Sequence, residues 1–389
     1  MDPLHSLPHL LQIRQLLHSI AEPSANEEKT AQTILNYLTQ CQPDKIYTNI
    51  AGHGIIAVFN SNKPGPIIAF RAELDALPIQ EKNNLRYKSL HDGVSHACGH
   101  DGHMTILLGL GFWLQKQIQN YCGKIILIFQ PAEENASGAK QVVNELKKLS
   151  LQPDYIFAVH NIPGYKKGSI LLKKNVFCAG SIGMIIKLVG KTSHAAYPHQ
   201  GKNPVQAMNN IIDSLLSLCS TLHVDKENSF LTIIHAKLGE VAFGTSPGDA
   251  TIMCTFRSFN DTEMKTMATH AQDMVKKIAL HHQLKYTIEW IDYFPQTINN
   301  NECIKTIEKI SDSIPLSVHF LGKPMRWSED FSFFLQNSTG AMIGVGSGIH
   351  HAQLHNPDYD FPDDLLQPTI NLLKKIIQEF CSQQRHGGK

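Results

Sequence analysis

The chain has 389 residues, 42% of them hydrophobic and 18% charged, with a net charge of +1. That is long enough for two domains, too rich in core-forming residues for a mainly disordered protein, and too nearly neutral to gather nucleic acid or an anionic membrane by its field. Histidine is in excess at 21, which favours metal or proton chemistry, and the eight cysteines form no CxxC pair, so a reduced, cytoplasmic protein is expected.

The start, Met1 to His18, interleaves prolines and histidines with leucines and lacks the basic, unbroken apolar make-up of a signal peptide. No later stretch approaches a membrane-spanning length. Leu10, Leu11, Leu17 and Ile20 stand at helical spacing. Ser24 to Leu38 reads as a second helix, capped by Ser24 or Asn26 with Glu27 and Glu28 in its first turn. Ile55–Phe59, Pro66–Phe70, Lys124–Phe129 and Tyr155–Val159 are short apolar runs, as expected of strands in a covered sheet. Helices are expected at Met104–Gln119 and Ala139–Leu149 between them. Strands alternating with helices predict an α/β layer with a mixed, largely parallel sheet.

The pattern changes near Cys178. Ser181–Val189, Phe230–Leu238, Ala250–Phe256 and Tyr286–Asp292 read as strands, and Pro204–Cys219 and Thr262–His281 as amphipathic helices. This is an inserted α+β two-layer sandwich, open on one side and able to pair with a copy of itself. Helices at 302–312 and 363–380 and a strand at 341–345 return the chain to the first layer. The expected organisation is a catalytic domain at 1–180 and 291–389, with a lid or dimerisation domain inserted at 181–290.

One stretch stands out, Ser95-His96-Ala97-Cys98-Gly99-His100-Asp101-Gly102-His103. Cysteine, histidine and carboxylate together suit a borderline-soft ion such as zinc. Gly99 and Gly102 permit the sharp turn that would aim Cys98 and His100 at one centre. Asp75, the pair Glu133-Glu134, and His160 each follow an apolar strand, where open α/β sheets bind ligands. Adjacent carboxylates need a cation or a shared proton, although a helix N-terminus would also accept them. One Glu would bind metal and its neighbour would face a bound water. His355 precedes Asn356-Pro357, a rigid turn, and is the best ligand candidate near the C-terminus. His350, His351 and the Thr192–His199 stretch read equally well as surface loop. A thiol hydrolase, with Cys98 attacking and His100 or His103 as base, is a separate reading that Cys-x-His spacing makes too tight.

Several blocks together carry a resemblance. RAELDALP at 71–78, HACGHDGHM at 96–104, FQPAEE at 129–134, AVHN at 158–161, SHAAYPHQGKNP at 193–204 and LHNPDYDF at 354–361 are similar, in matching order, to motifs of the metal-dependent N-acyl amino acid amidohydrolases. That family includes hippurate hydrolase, N-acetyldiaminopimelate deacetylase and the auxin-conjugate hydrolases. The resemblance implies a zinc-exopeptidase-like catalytic domain and two divalent ions (Zn, Mn, Co or Ni) held by Cys98, His100, Glu134, His160 and His355. It implies that Asp75 orients a ligating histidine and that Glu133 is the general base and then the acid. His194 would reach the active site of a partner subunit in a homodimer, and Arg257 would receive the substrate carboxylate. The expected substrate is a small N-acyl amino acid. A dipeptidase or carboxypeptidase of the same family is the alternative, as is a weakened relative acting as a binding protein. Two departures stand out: Glu73 replaces the family's first acid in R-A-D-x-D, and Gly244 opens the turn where relatives carry Asn-x-Ile-Pro.

Overall fold

The computed structural model describes residues 6–225, 227–311 and 316–383. Residues 1–5 of the N-terminal stretch and residue 312 of the helix expected at 302–312 lie outside them. The chain forms two compact units: residues 1–177, 297–323 and 330–389, and residues 178–296 with 324–329.

The first unit is built on an eight-stranded sheet. Its strands are β1 (Lys45–Ile50), β2 (Gly54–Asn60), β3 (Ile67–Glu73), β4 (Lys124–Gln130), β5 (Tyr155–Pro163), β6 (Ile170–Leu172), β7 (Val318–Phe320) and β8 (Thr339–Gly348). They lie in the order β1-β2-β4-β3-β5-β8-β6-β7. The central neighbours β4–β3, β3–β5 and β5–β8 run parallel, as does the β6–β7 pair, whereas β1–β2, β2–β4 and β8–β6 are antiparallel. The sheet is thus mixed and mostly parallel. Strands β2 to β5 are buried almost throughout, which explains why they read as unbroken apolar runs.

Helices Leu7–Ser19, His100–Gln117 and Leu366–Gln383 share one core with that sheet. The second helix begins at Glu28, not at Ser24, and has no side-chain cap. Ala25 sits at φ +67, a left-handed conformation that interrupts a helix. The Ser24 hydroxyl instead donates to Asp75 Oδ2 at 2.7 Å.

The second unit is a four-stranded antiparallel sheet in the order Ser229–Leu238, Asp249–Ser258, Gly180–Val189, Lys285–Phe294. Burial alternates along Asp249–Ser258, so one face is packed and the other wetter. Helices Val205–Thr221 and Asp261–His281 supply the opposing apolar surface, with Ile211, Leu215, Met267 and Val275 against Ile186, Leu188 and Ile252. Asn260 caps the longer helix by accepting from the Thr262 and Glu263 amides.

Residues 324–329 join this unit, though the sequence pattern leaves them with the C-terminal part of the catalytic domain. The reason is local pairing: the Ala179 amide donates to the Met325 and Trp327 carbonyls, and the Arg326 guanidinium lies 4.0 Å over the Phe230 ring. No helix among the described residues is long and apolar enough to cross a membrane.

Candidate metal centre

The loops beyond the C-terminal ends of β3 and β4, the end of β5 and the start of one helix build the site. Gly99, at φ +90, sits just before the helix His100–Gln117; a side chain there would be strained. The helix therefore starts four residues earlier than periodicity suggests. Gly102 is not part of the turn: it lies in that helix, and a methyl group on it would run into the Phe361 ring. His160 lies within β5, because that strand continues to Pro163 against β8.

Six of the residues singled out in the sequence come together. Ligand atoms of Cys98, His100 and His160 lie within 4.8 Å of one another, as do those of Cys98, Glu134 and His355, and those of His100, Glu133 and Glu134. Cys98 Sγ stands 3.5 Å from His160 Nε2. His100 Nε2 is 3.9 Å from Glu134 Oε1 and 4.0 Å from Glu133 Oε2, and His355 Nε2 is 3.7 Å from Glu134 Oε2. Cys98, His100, Glu133 and His160 are buried, while His355 is half-exposed at the rim.

Each ring is aimed by its other nitrogen. His100 Nδ1 donates to the Asp75 backbone carbonyl at 2.8 Å, and the Asp75 carboxylate is more distant, at 3.7 Å. His160 Nδ1 donates to the Asn161 carbonyl at 2.8 Å, which puts the lone pair of the neutral ring on Nε2. The two glutamates follow Ala132, held at φ +52. Its amide donates to Glu27 Oε1 at 2.8 Å, and the Glu134 amide donates to Asp75 Oδ2 at 3.0 Å. Glu27 and Ser24 thus support the site, and the sequence had shown them only as helix-start residues. His355 is at φ +64, with its amide donating to the Ala97 carbonyl at 2.9 Å. Of the two other histidines in its loop, His350 is exposed and His351 Nε2 donates to the Asp360 carbonyl.

The electrostatics fit a cation. Burial alone would discharge His100, but the Glu73, Asp75 and Glu134 carboxylates outweigh it and push the ring up to about 10. Burial, then His103 and His100, push His160 down to about 3. Burial raises the Asp75 carboxyl, yet the His100 ring, the Ser24 hydroxyl and the Glu134 amide hold it below its ordinary value. His100 Nε2 is buried without a hydrogen-bond partner, which a native protein rarely leaves unexplained. Sulfur, imidazole and carboxylate donors around that atom form a set that divalent transition ions accept.

His194 and Arg257 belong to the second unit. His194 is exposed on a two-residue ribbon paired with Thr245–Ser246, and its Nδ1 accepts from the Ala196 amide at 3.1 Å. Gly244 lies on the same ribbon, where its carbonyl accepts from the Ala195 amide and a side chain would meet open space. Arg257 donates from Nη1 to Ser328 Oγ at 2.7 Å and to the Arg326 carbonyl at 3.3 Å.

Residues 69–379 match the model of peptidase family M20/M25/M40. The chain is 31% identical over 370 residues to the hippurate hydrolase of Campylobacter jejuni, covering 95% of each chain. It is 31% identical over 357 residues to the N-acetyldiaminopimelate deacetylase of Bacillus subtilis, covering 90% of this chain and 94% of that one. Among solved structures, a Bacillus subtilis protein described as a dinuclear metal-binding peptidase of the M20 family superposes with a TM-score of 0.80 at 25% identity, covering 97% of this chain and 98% of that one. The chain belongs to peptidase family M20/M25/M40 and is a metal-dependent amidohydrolase.

Proposed function

We propose that this protein hydrolyses the amide bond of N-acyl amino acids, with an acetyl or aromatic acyl group, using two divalent ions. Cys98, His100, Glu134, His160 and His355 hold the pair, which Zn, Mn, Co or Ni would satisfy. When bound there, the ions would supply Lewis-acid chemistry, by which the pKa of water falls from 15.7 to about 7 and the amide carbonyl is polarised.

The chain's own residues do the rest. Glu133 takes the proton from that water and passes it to the leaving nitrogen. Asp75 keeps the His100 ring directed, through its backbone carbonyl. His194 donates to the oxygen on which charge develops. Arg257 receives the substrate carboxylate, for which a planar fork is suited. The residue 181–290 region serves as lid and dimerisation domain, so that in a homodimer His194 serves the second copy. The compartment is the cytoplasm.

The observation that carries this reading is the meeting of Cys98, His100, Glu134, His160 and His355 in overlapping groups of three, with Glu133 beside His100 and Glu134. The test is hydrolysis of a panel of N-acetyl and N-benzoyl amino acids, with free dipeptides alongside, before and after chelation. Turnover of the acylated substrates that stops on chelation and returns with metal is expected. Full activity in metal-free protein would overturn the reading, and a preference for free dipeptides would move it to a peptidase.

A further inference from the structure

One buried polar chain beside the candidate ligands has no part in the chemistry above. It begins at Arg71, whose guanidinium is held by Gln130 Oε1 at 2.8 Å and Asp330 Oδ1 at 2.6 Å and also pairs with Glu73. The other oxygen of Glu73 accepts from His103 Nδ1 at 2.7 Å, and His103 Nε2 faces Asn161 Oδ1 at 2.5 Å. The Asn161 amide nitrogen donates to the Cys98 carbonyl at 3.1 Å and to Tyr359 Oη at 2.6 Å. All of these side chains are buried. Polar groups so placed are tolerated only when satisfied and directional.

The orientation of the Asn161 amide is fixed. The Cys98 carbonyl can only accept, so it is the Asn161 nitrogen that faces it and the Asn161 oxygen that faces His103. Both ring nitrogens of His103 are engaged within the chain, Nδ1 by Glu73 and Nε2 by the Asn161 side-chain oxygen and, at 3.4 Å, the Asn161 backbone amide. Yet it stands among the ligands. Its ring centroid is 5.5 Å from that of His100, three residues earlier on the same helix, and 4.9 Å from that of His160. Asn161 meanwhile serves both sides of the site: its side chain holds the Cys98 carbonyl and its backbone carbonyl holds His160 Nδ1. Gly99 completes the fit, because a side chain there would strike the Asn161 amide.

We infer that Glu73, His103 and Asn161 are positioning residues, a hydrogen-bonded relay that sets the direction of Cys98 and His160 toward the metal ions. The inference rests on the two-metal reading and deepens it. It also accounts for Glu73, since the acid at this place anchors the relay through His103 and does not serve as a ligand.

The test uses the full chain reconstituted with cobalt(II). A thiolate-to-cobalt charge-transfer band reports the Cys98 bond directly, and competition with a chelator gives metal affinity without any substrate. Asn161→Asp is nearly isosteric and replaces the donor facing the Cys98 carbonyl with an acceptor; His103→Phe keeps a ring and removes both bonds. We expect the band to shift or weaken in both variants and metal affinity to fall by ~10–100-fold, the scale for partners of metal ligands. We also expect kcat to fall more than KM rises. Far-ultraviolet circular dichroism identifies a variant that does not fold; the other then carries the test. Two folded variants with the wild-type band and wild-type affinity would overturn the relay. A wild-type protein that shows no such band on binding cobalt would instead overturn the metal reading beneath it.

Discussion

Glu133→Gln is the sharpest perturbation of the proposed chemistry. The change exchanges one buried carboxylate oxygen for an amide nitrogen and leaves volume and backbone alone. Glu133 Oε2 lies 4.0 Å from His100 Nε2, and Glu134, the neighbouring acid, keeps its amide on Asp75. The ligand set is thus untouched, while the only group assigned to move the proton is lost. General-base catalysis is worth ~10²–10⁴ in rate, or ~3–5 kcal/mol of barrier at ~1.4 kcal/mol per decade. We expect kcat on an N-acyl amino acid to fall by that factor, with KM within a few-fold and two metal ions per chain still present by elemental analysis. Because His100, Glu133 and Glu134 offer atoms within 4.8 Å of one another, the metal count matters as much as the rate. A variant that loses an ion would make Glu133 a ligand. A variant that keeps both ions and turns over near the wild-type rate would refute the role altogether.

Other expectations follow from neighbouring parts of the structure. His194→Ala should lower kcat by ~10²–10³, the loss seen when one oxyanion donor is removed, and should leave the metal content alone; an unchanged kcat on the preferred substrate would contradict its role. Gly102→Ala should destabilise the fold, since the added methyl meets the buried Phe361 ring. Overpacking costs ~1–3 kcal/mol against a gain of ~1 kcal/mol in helix propensity. A thermal melt at or above the wild-type Tm would show that the ring yields. Burial would lower His18, but hydrogen bonds to Asp101 and Glu81 prevail and raise it from 6.5 to about 9. Its contribution is then fully present below about 6.5 and is lost as pH rises through about 9. The amount is on the order of 3 kcal/mol. Denaturant titrations of wild type and His18→Gln at pH 6 and pH 10 should converge at the higher pH, and parallel pH dependences would rule the ion pair out as the source.

How much of this was legible in the sequence depended on whether a signal was local. The covered strands were plain, because a strand buried on both faces reads as an apolar run. The edge strand β1 was not, since its burial is ragged and its residues are partly polar. The gathering of Cys98, His100, Glu133, Glu134 and His160 was suggested by strand-end placement and spacing, His355 by the turn at Asn356-Pro357, and the full set only by the resemblance of the motifs. Their supports were not: Ser24, Glu27 and Asn161 act through hydrogen bonds to residues 51, 105 and 63 positions away, and no window on the sequence spans such a distance. His100 shows the limit within a single pair. Asp75 was expected to aim a ligating histidine, and the close bond to His100 comes from its backbone carbonyl, a group every residue carries and no motif can reveal.

His100 and His160 also settle where positive charge is wanted. Both are buried within one site, and burial pushes both down, yet only His100 has carboxylates enough around it to be raised to about 10. At neutral pH that ring carries a proton on Nε2, the atom that would have to face an ion. Loading the site must therefore release that proton, together with the thiol proton of Cys98, because imidazole binds metal neutral and cysteine binds as thiolate. Calorimetric titration of metal-free protein with zinc, run at pH 7 in buffers of different ionisation enthalpy, should give a net release of protons from His100 and Cys98, with any ionisation of water at the site adding to it. Affinity should rise with pH until His100 titrates, near 10. Binding that released no protons would mean that ions enter somewhere other than beside His100 and Cys98, and the ligand assignment would fall with it.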